Sequence, residues 1–355
     1  MLYLLPDELL VAIVEYCDQR ARKSLSLVSR RLRNPSQRTI FKTVYIPRNT
    51  IEVIVPRFAV KIRDQFPEMI RNDRLLSYIQ TIIISQGDAL HYLRMVAMEL
   101  LFTALHRMQP LRDIKLFNVR FTTTMLDRLC EVLSTRPYNV ELRYCLYPAD
   151  YTFQQATLKI HRLSLEDKSI GGPPRPAMSK VLVDIIARSL SSIKSLTLTS
   201  YLGLLASLGT MPRLTSLNIR STSAENDKGL ENFLVANPQI MEFALDGTTC
   251  DLSLLPPSAL PNLRTIRVTA ELVQHLLQGR PVVKVEISAS SKFKFMVDGL
   301  RALSRSATPI VELTLDLPYH FTRPFDVLDA VVETVPHLER MWLSFDSQVR
   351  GILHF

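Results

Sequence analysis

Leu263-Arg264-Thr265-Ile266-Arg267-Val268-Thr269 carries apolar side chains at its first, fourth and sixth positions, with polar or charged residues between them. That spacing lines one side of a short strand with apolar groups and leaves the other side polar. It recurs along the chain. Copies stand at Leu111/Ile114/Leu116, Ile160/Leu163/Leu165, Ile193/Leu196/Leu198, Leu214/Leu217/Ile219 and Ile240/Phe243/Leu245, then at Val282/Val285/Ile287, Ile310/Leu313/Leu315 and Leu338/Met341/Leu343. Weaker copies lie earlier, at Phe41/Val44/Ile46 and Ile79/Ile82/Ile84. From Ile193 onward the steps run from 19 to 28 residues. Each triplet is expected to be followed by a stretch with helical spacing, as at 270–277, 293–303 and 325–335. Prolines such as Pro110, Pro212, Pro238, Pro281, Pro309 and Pro336 punctuate the copies, because proline ends a preceding helix. A strand of about five residues with one helix cannot bury its apolar edge alone, whereas stacked copies share one core.

This period resembles that of leucine-rich repeats. The resemblance implies an irregular solenoid over 47–355, with strands on the concave side and helices on the convex side. One departure is consistent: the asparagine usual three residues after the last leucine is replaced by Val119, Tyr201, Thr222 and Thr248. Between the early copies, helices are expected at 57–66 and 89–108 and a strand near 79–85. The aromatic-rich stretch 138–153 reads as a possible insertion. Gly171-Gly172-Pro173-Pro174 with Pro176 can be neither helix nor central strand, so an exposed loop is expected at 171–176.

At the other end, Leu5-Pro6-Asp7-Glu8-Leu9-Leu10 starts a helix. Pro6 suits a first helical position, and Asp7 and Glu8 favour the positive end of the helix dipole. Leu9, Leu10, Ile13, Val14 and Cys17 share a face. Ala21, Leu25, Val28 and Leu32 repeat the pattern in a second helix, and Asn34-Pro35 is expected to open a third that ends near Phe41. Three short helices in 1–46 bury little surface by themselves, so a partner or the rest of the chain should cover them.

The Leu5-Pro6 pair followed by Val28-Ser29-Arg30-Arg31-Leu32 resembles an F-box. The resemblance implies that Leu5, Pro6, Leu9, Ile13, Val28 and Leu32 contact the Skp adaptor of a cullin ubiquitin ligase, with Phe41 closing the motif. Leu32 stands where tryptophan is frequent, and Arg22 and Lys23 stand where apolar residues are common. The fold class expected is therefore α/β: a small three-helix F-box followed by an irregular leucine-rich-repeat solenoid.

The 355 residues are 47% hydrophobic and 22% charged, enough for a large core. Asp7 and Glu8 interrupt the apolar opening before a signal segment forms, and no stretch approaches a membrane span, so a cytoplasmic or nuclear protein without membrane contact is expected. Cys17, Cys130, Cys145 and Cys250 lack Cys-x-x-Cys spacing, which argues for reduced thiols rather than zinc or disulfides. The formal charge is +9, but it forms no basic stripe with interleaved aromatics, so no nucleic acid is expected. No phosphate-cradling loop, zinc-protease helix or nucleophile elbow occurs, and the seven histidines are scattered. The expectation is no enzyme and no cofactor or metal; Tyr144, Asp150 and Tyr151 form the least improbable catalytic cluster.

Function is then expected on the strand surface. Strand positions four and six beyond the leading apolar residue point away from the core. Among them Arg220, Asp246, Arg267, Glu286, Asp316 and Trp342 are the candidate contacts for an unknown protein substrate, Trp342 being the only tryptophan. The implied role is substrate recognition for the ligase. The alternative is a leucine-rich-repeat scaffold that binds protein without recruiting one.

Overall fold

The computed structural model describes residues 5–46, 70–85, 92–148, 150–154, 157–166, 176–199, 202–220, 227–246, 252–288, 293–317, 324–345 and 349–354. They fall into two compact units, Met1–His161 and Arg162–Phe355.

The first unit begins with helices α1 (Asp7–Tyr16), α2 (Gln19–Val28) and α3 (Arg30–Phe41). Pro6 stands just before α1, not inside it, and its carbonyl accepts from the Leu9 and Leu10 amides at 3.1 and 3.2 Å. The Asp18 carboxylate caps α2 through the Ala21 amide at 2.7 Å. The third helix corrects the expectation, since it opens at Arg30 and contains Pro35. Ser29 is the reason. Its backbone is extended, which ends α2, and its hydroxyl accepts from the Leu32 amide at 3.1 Å, which starts α3. Leu32 therefore belongs to α3, where it lies buried with Leu10 and Val14 inside the module.

Four parallel strands follow in chain order: β1 (Thr43–Ile46), β2 (Thr81–Ser85), β3 (Asp113–Phe117) and β4 (Tyr138–Arg143). Thr43 pairs with Thr81, so the stack already starts within the first 46 residues. The stretch expected to be an insertion contains β4. Helix Thr123–Thr135 buries Leu126, Leu129 and Leu133 behind these strands, capped by the Thr122 hydroxyl on the Met125 amide at 3.1 Å. The expected helix at 89–108 is present as Tyr92–Ala104 with a final tight turn at Leu105–Arg107, whereas 57–66 lies outside the described residues.

Strand β5 (Ile160–Glu166) has its first two residues in the first unit and the rest in the second, which repeats the scheme with β6 (Ser195–Thr199), β7 (Ser216–Arg220), β8 (Glu242–Asp246), β9 (Thr265–Thr269), β10 (Lys284–Ser288), β11 (Glu312–Leu317) and β12 (Arg340–Phe345). Each pairs in parallel with the next. A last strand, β13 (Val349–His354), turns back antiparallel along β12. The registers align the repeats residue for residue, as in Leu196 with Leu217 and Ile266 with Val285. Every triplet between the first and the last copy is buried, while Phe41 and Leu338 at the two ends remain half-buried. Pro176 opens a helix to Ser189, and the rest of the expected 171–176 loop lies outside the described residues.

One repeat departs from strand–loop–helix. Among the described residues no helix separates β8 from β9, because Pro256, Pro257 and Pro261 forbid one. Leu252, Leu255, Ala259 and Leu260 supply the buried apolar groups instead, with Leu260 held at φ 57°. Two carbonyls of this irregular segment find a partner in Arg280, as does one in the helix that follows β9. Arg280 is fully buried, and its guanidinium donates to Ala259 O at 2.7 Å, Pro256 O at 2.8 Å and His275 O at 2.7 Å. Burial pulls this group below its ordinary guanidinium value.

Other turns ahead of strands are tied to the preceding repeat by different side chains. Buried Asn237 accepts from the Met211 amide at 2.7 Å and donates to Phe233 O at 2.8 Å. Arg136 donates to Met108 O at 2.6 Å. Ser306 donates to Val282 O at 2.9 Å.

Candidate functional site

The helical module divides its apolar residues between two sides. Leu10, Val14 and Leu32 close the interior, whereas Leu9, Ile13, Leu27 and Val28 are 51%, 40%, 81% and 70% exposed. Leu5 is half-buried and Pro6 exposed. Of the six residues expected to contact an adaptor, Leu32 alone is withdrawn, at 4% exposure, because the Ser29 cap places it on the inward side of α3.

Two arginines fix that module. The Arg31 guanidinium donates to Leu5 O and to Asp7 Oδ1, the latter at 3.0 Å, and so holds the Leu5-Pro6 turn against α3. Arg22 reaches back to α1, donating to Val14 O at 2.9 Å and Glu15 O at 2.6 Å. It thereby satisfies the Glu15 carbonyl and adds a second donor to the Val14 carbonyl, which also accepts from the Cys17 amide at 3.2 Å. Lys23 is exposed.

The second surface is the polar face of the strands. In the second unit, Arg220 and Arg267 both reach the Asp246 carboxylate, Arg220 at 3.7 Å, and Ser288 donates to Asp246 Oδ1 at 3.3 Å. Arg267 also stands 3.9 Å from Glu286. Asp246 raises the Arg267 guanidinium above its ordinary value, with smaller contributions from Glu286 and Asp316. Five of the six expected substrate contacts thus share one electrostatic chain across β7 to β11.

Trp342 belongs to a separate group. Lys284 Nζ and Arg340 Cζ each stand 5.8 Å from its ring centroid. Lys284 is in turn 2.9 Å from Glu312, which also binds Arg340. The register sets Trp342 opposite Ile352 of β13. Lys284, Glu312 and Arg340 were missed by counting only positions four and six, yet the same two-residue alternation puts position two on that face. The first unit shows a comparable arrangement, with Lys115 3.1 Å from Glu141, and the Arg143 guanidinium 5.4 Å from the Phe117 ring.

Of Tyr144, Asp150 and Tyr151, the last is engaged in a structural contact. Tyr151 is buried and donates to Asp127 Oδ1 at 2.8 Å, and burial raises its phenol above the ordinary range. Among the described residues no group of His, Cys, Asp and Glu is placed to hold a metal ion, and no helix is long and apolar enough to cross a membrane.

Residues 2–34 match the F-box domain family. The chain thus carries an F-box domain at residues 2–34, followed by leucine-rich-repeat-like strands whose buried triplets and parallel registers are described above. It is similar to the leucine-rich repeat-containing protein LegL7 from Legionella pneumophila, at 13% identity and a TM-score of 0.44, over 88% of this chain and 85% of that one. No curated protein matches it in sequence.

Proposed function

We propose that this chain is a substrate receptor of a Skp–cullin–F-box ubiquitin ligase, acting in the cytosol or nucleus. The observation that carries the reading is the exposed apolar set Leu9, Ile13, Leu27 and Val28 on a module whose interior is already filled by Leu10, Val14 and Leu32. These residues, with Leu5 and Pro6, would enter the adaptor, while Leu32 supports them from behind. Arg22 supports the same reading, since its charge is spent on α1 rather than on the contact surface. The polar strand face, with Arg220, Asp246, Arg267, Glu286, Asp316 and Trp342, would hold the protein substrate, and transfer of ubiquitin would fall to other subunits.

Pull-down with purified Skp-type adaptor tests this. Wild type should bind, and Leu9→Glu/Val28→Glu should bind at least tenfold more weakly while its circular dichroism stays unchanged. Absence of wild-type binding removes the ligase role. Exposed Lys23 favours the alternative of a scaffold without a ligase. That reading gains if a stable partner of the strand face keeps its abundance when the proteasome is inhibited.

A further inference from the structure

We propose that the first unit carries a second binding site, for a phosphoryl group, in a groove lined by Gln109, Pro110, Arg112, Arg136, Asn139 and His161. No carboxylate is among its lining residues. The guanidinium groups of Arg112 and Arg136 both line it, and their joint potential favours an anion. This site is independent of the ligase reading.

The groove is built rather than merely basic. Arg136 is locked from three sides: Nε donates to the Tyr138 hydroxyl at 2.7 Å, Nη2 donates to Met108 O at 2.6 Å, and the group lies 5.2 Å from the Tyr138 ring centroid. Its Nη1 has no partner among the described residues. Arg112 is anchored through its backbone, its amide on Gln80 O at 2.8 Å and its carbonyl accepting from the Asn139 amide at 2.8 Å. Its exposed guanidinium makes no hydrogen bond or ion pair among the described residues.

The neighbouring Asp113 keeps its charge but lies outside the lining, its Oδ1 accepting from Asn139 Nδ2 at 2.8 Å and its Oδ2 from the Thr81 hydroxyl at 3.1 Å. A planar guanidinium matches phosphate oxygens with two parallel donors, and pre-set donors bind without further loss of side-chain freedom. Free phosphate and a phosphorylated side chain share this chemistry.

Calorimetric titration of the full chain at constant ionic strength separates the sources, using inorganic phosphate, a phosphoserine peptide and the same peptide unphosphorylated. Saturable binding of phosphate or of the phosphopeptide is expected, weakened at least tenfold by Arg112→Gln, partly restored by Arg112→Lys and unchanged by Arg213→Gln in the second unit. Tighter binding of the phosphopeptide than of phosphate assigns a modified protein as the source; the reverse order assigns the free anion. Lack of saturable binding to both, or undiminished binding by Arg112→Gln, overturns the proposal.

Discussion

Arg22 Nε stands 2.9 Å from Val14 O, so a side chain of the second helix closes the end of the first. An arginine in a place commonly apolar in F-boxes is thereby a structural part of the module.

Replacing Arg22 by alanine should open the last turn of α1. Two charge-assisted bonds to carbonyls are lost, and water recovers part of the cost, which leaves about 1–2 kcal/mol. Hydrogen exchange read by mass spectrometry should show faster exchange in the peptide containing Tyr16 and Cys17, with the strands of the second unit unchanged. Arg22→Lys should recover less than half, because an ammonium lacks the fork that spans two carbonyls.

Arg280→Met should lower the stability of the second unit by about 3 kcal/mol, since a buried guanidinium is removed and three backbone carbonyls lose their charged donor together. Trp342, the only tryptophan, lies in that unit, so urea denaturation followed by its fluorescence reads the effect directly. An unchanged midpoint would mean that the irregular segment before β9 does not depend on this residue.

Two glycines should respond in opposite directions to alanine. A Cβ at Gly299 would meet Ala270 O at 2.7 Å, a backbone atom that cannot swing away, so Gly299→Ala should cost about 1–3 kcal/mol. At Gly209 nothing lies within 4 Å, and Gly209→Ala should be neutral or stabilise by about 0.4–1 kcal/mol through the unfolded chain. Thermal midpoints of the two variants provide the comparison.

Burial pushes the Cys145 thiol from an ordinary 9.0 up to about 12. Between these values the unfolded chain has lost this proton and the folded chain keeps it, so stability is intact below pH 9 and declines as pH rises toward 12. Denaturation midpoints of wild type and Cys145→Ala at pH 7.5, 9 and 10.5 should show the variant weaker at neutral pH but flatter in the alkaline range. Parallel pH profiles would remove Cys145 from the effect.

Periodicity exposed most of the architecture, because a two-residue alternation within each strand is written directly in residue type: Leu196, Leu217, Ile266 and Val285 are all buried as their spacing requires. It missed β4 because Pro137 occupies the leading apolar place and Tyr138 contributes the buried group instead. The start of α3 was hidden because Ser29 and Asn34 both have cap chemistry, and only the extended backbone at Ser29 shows which is used. The strand-face candidates were legible residue by residue, but not their linkage. Arg220, Asp246, Arg267 and Glu286 come from four repeats, and parallel pairing alone brings them together. Arg280 gave no signal, since its three acceptors are backbone atoms of any residue type.

The ties between repeats use three chemistries: guanidinium groups at Arg136 and Arg280, an amide at Asn237 and a hydroxyl at Ser306. Copying or excising one module would present each junction with the wrong key. Recombination of equivalent parts would therefore cost such a molecule the hydrogen bonds that join one layer to the next.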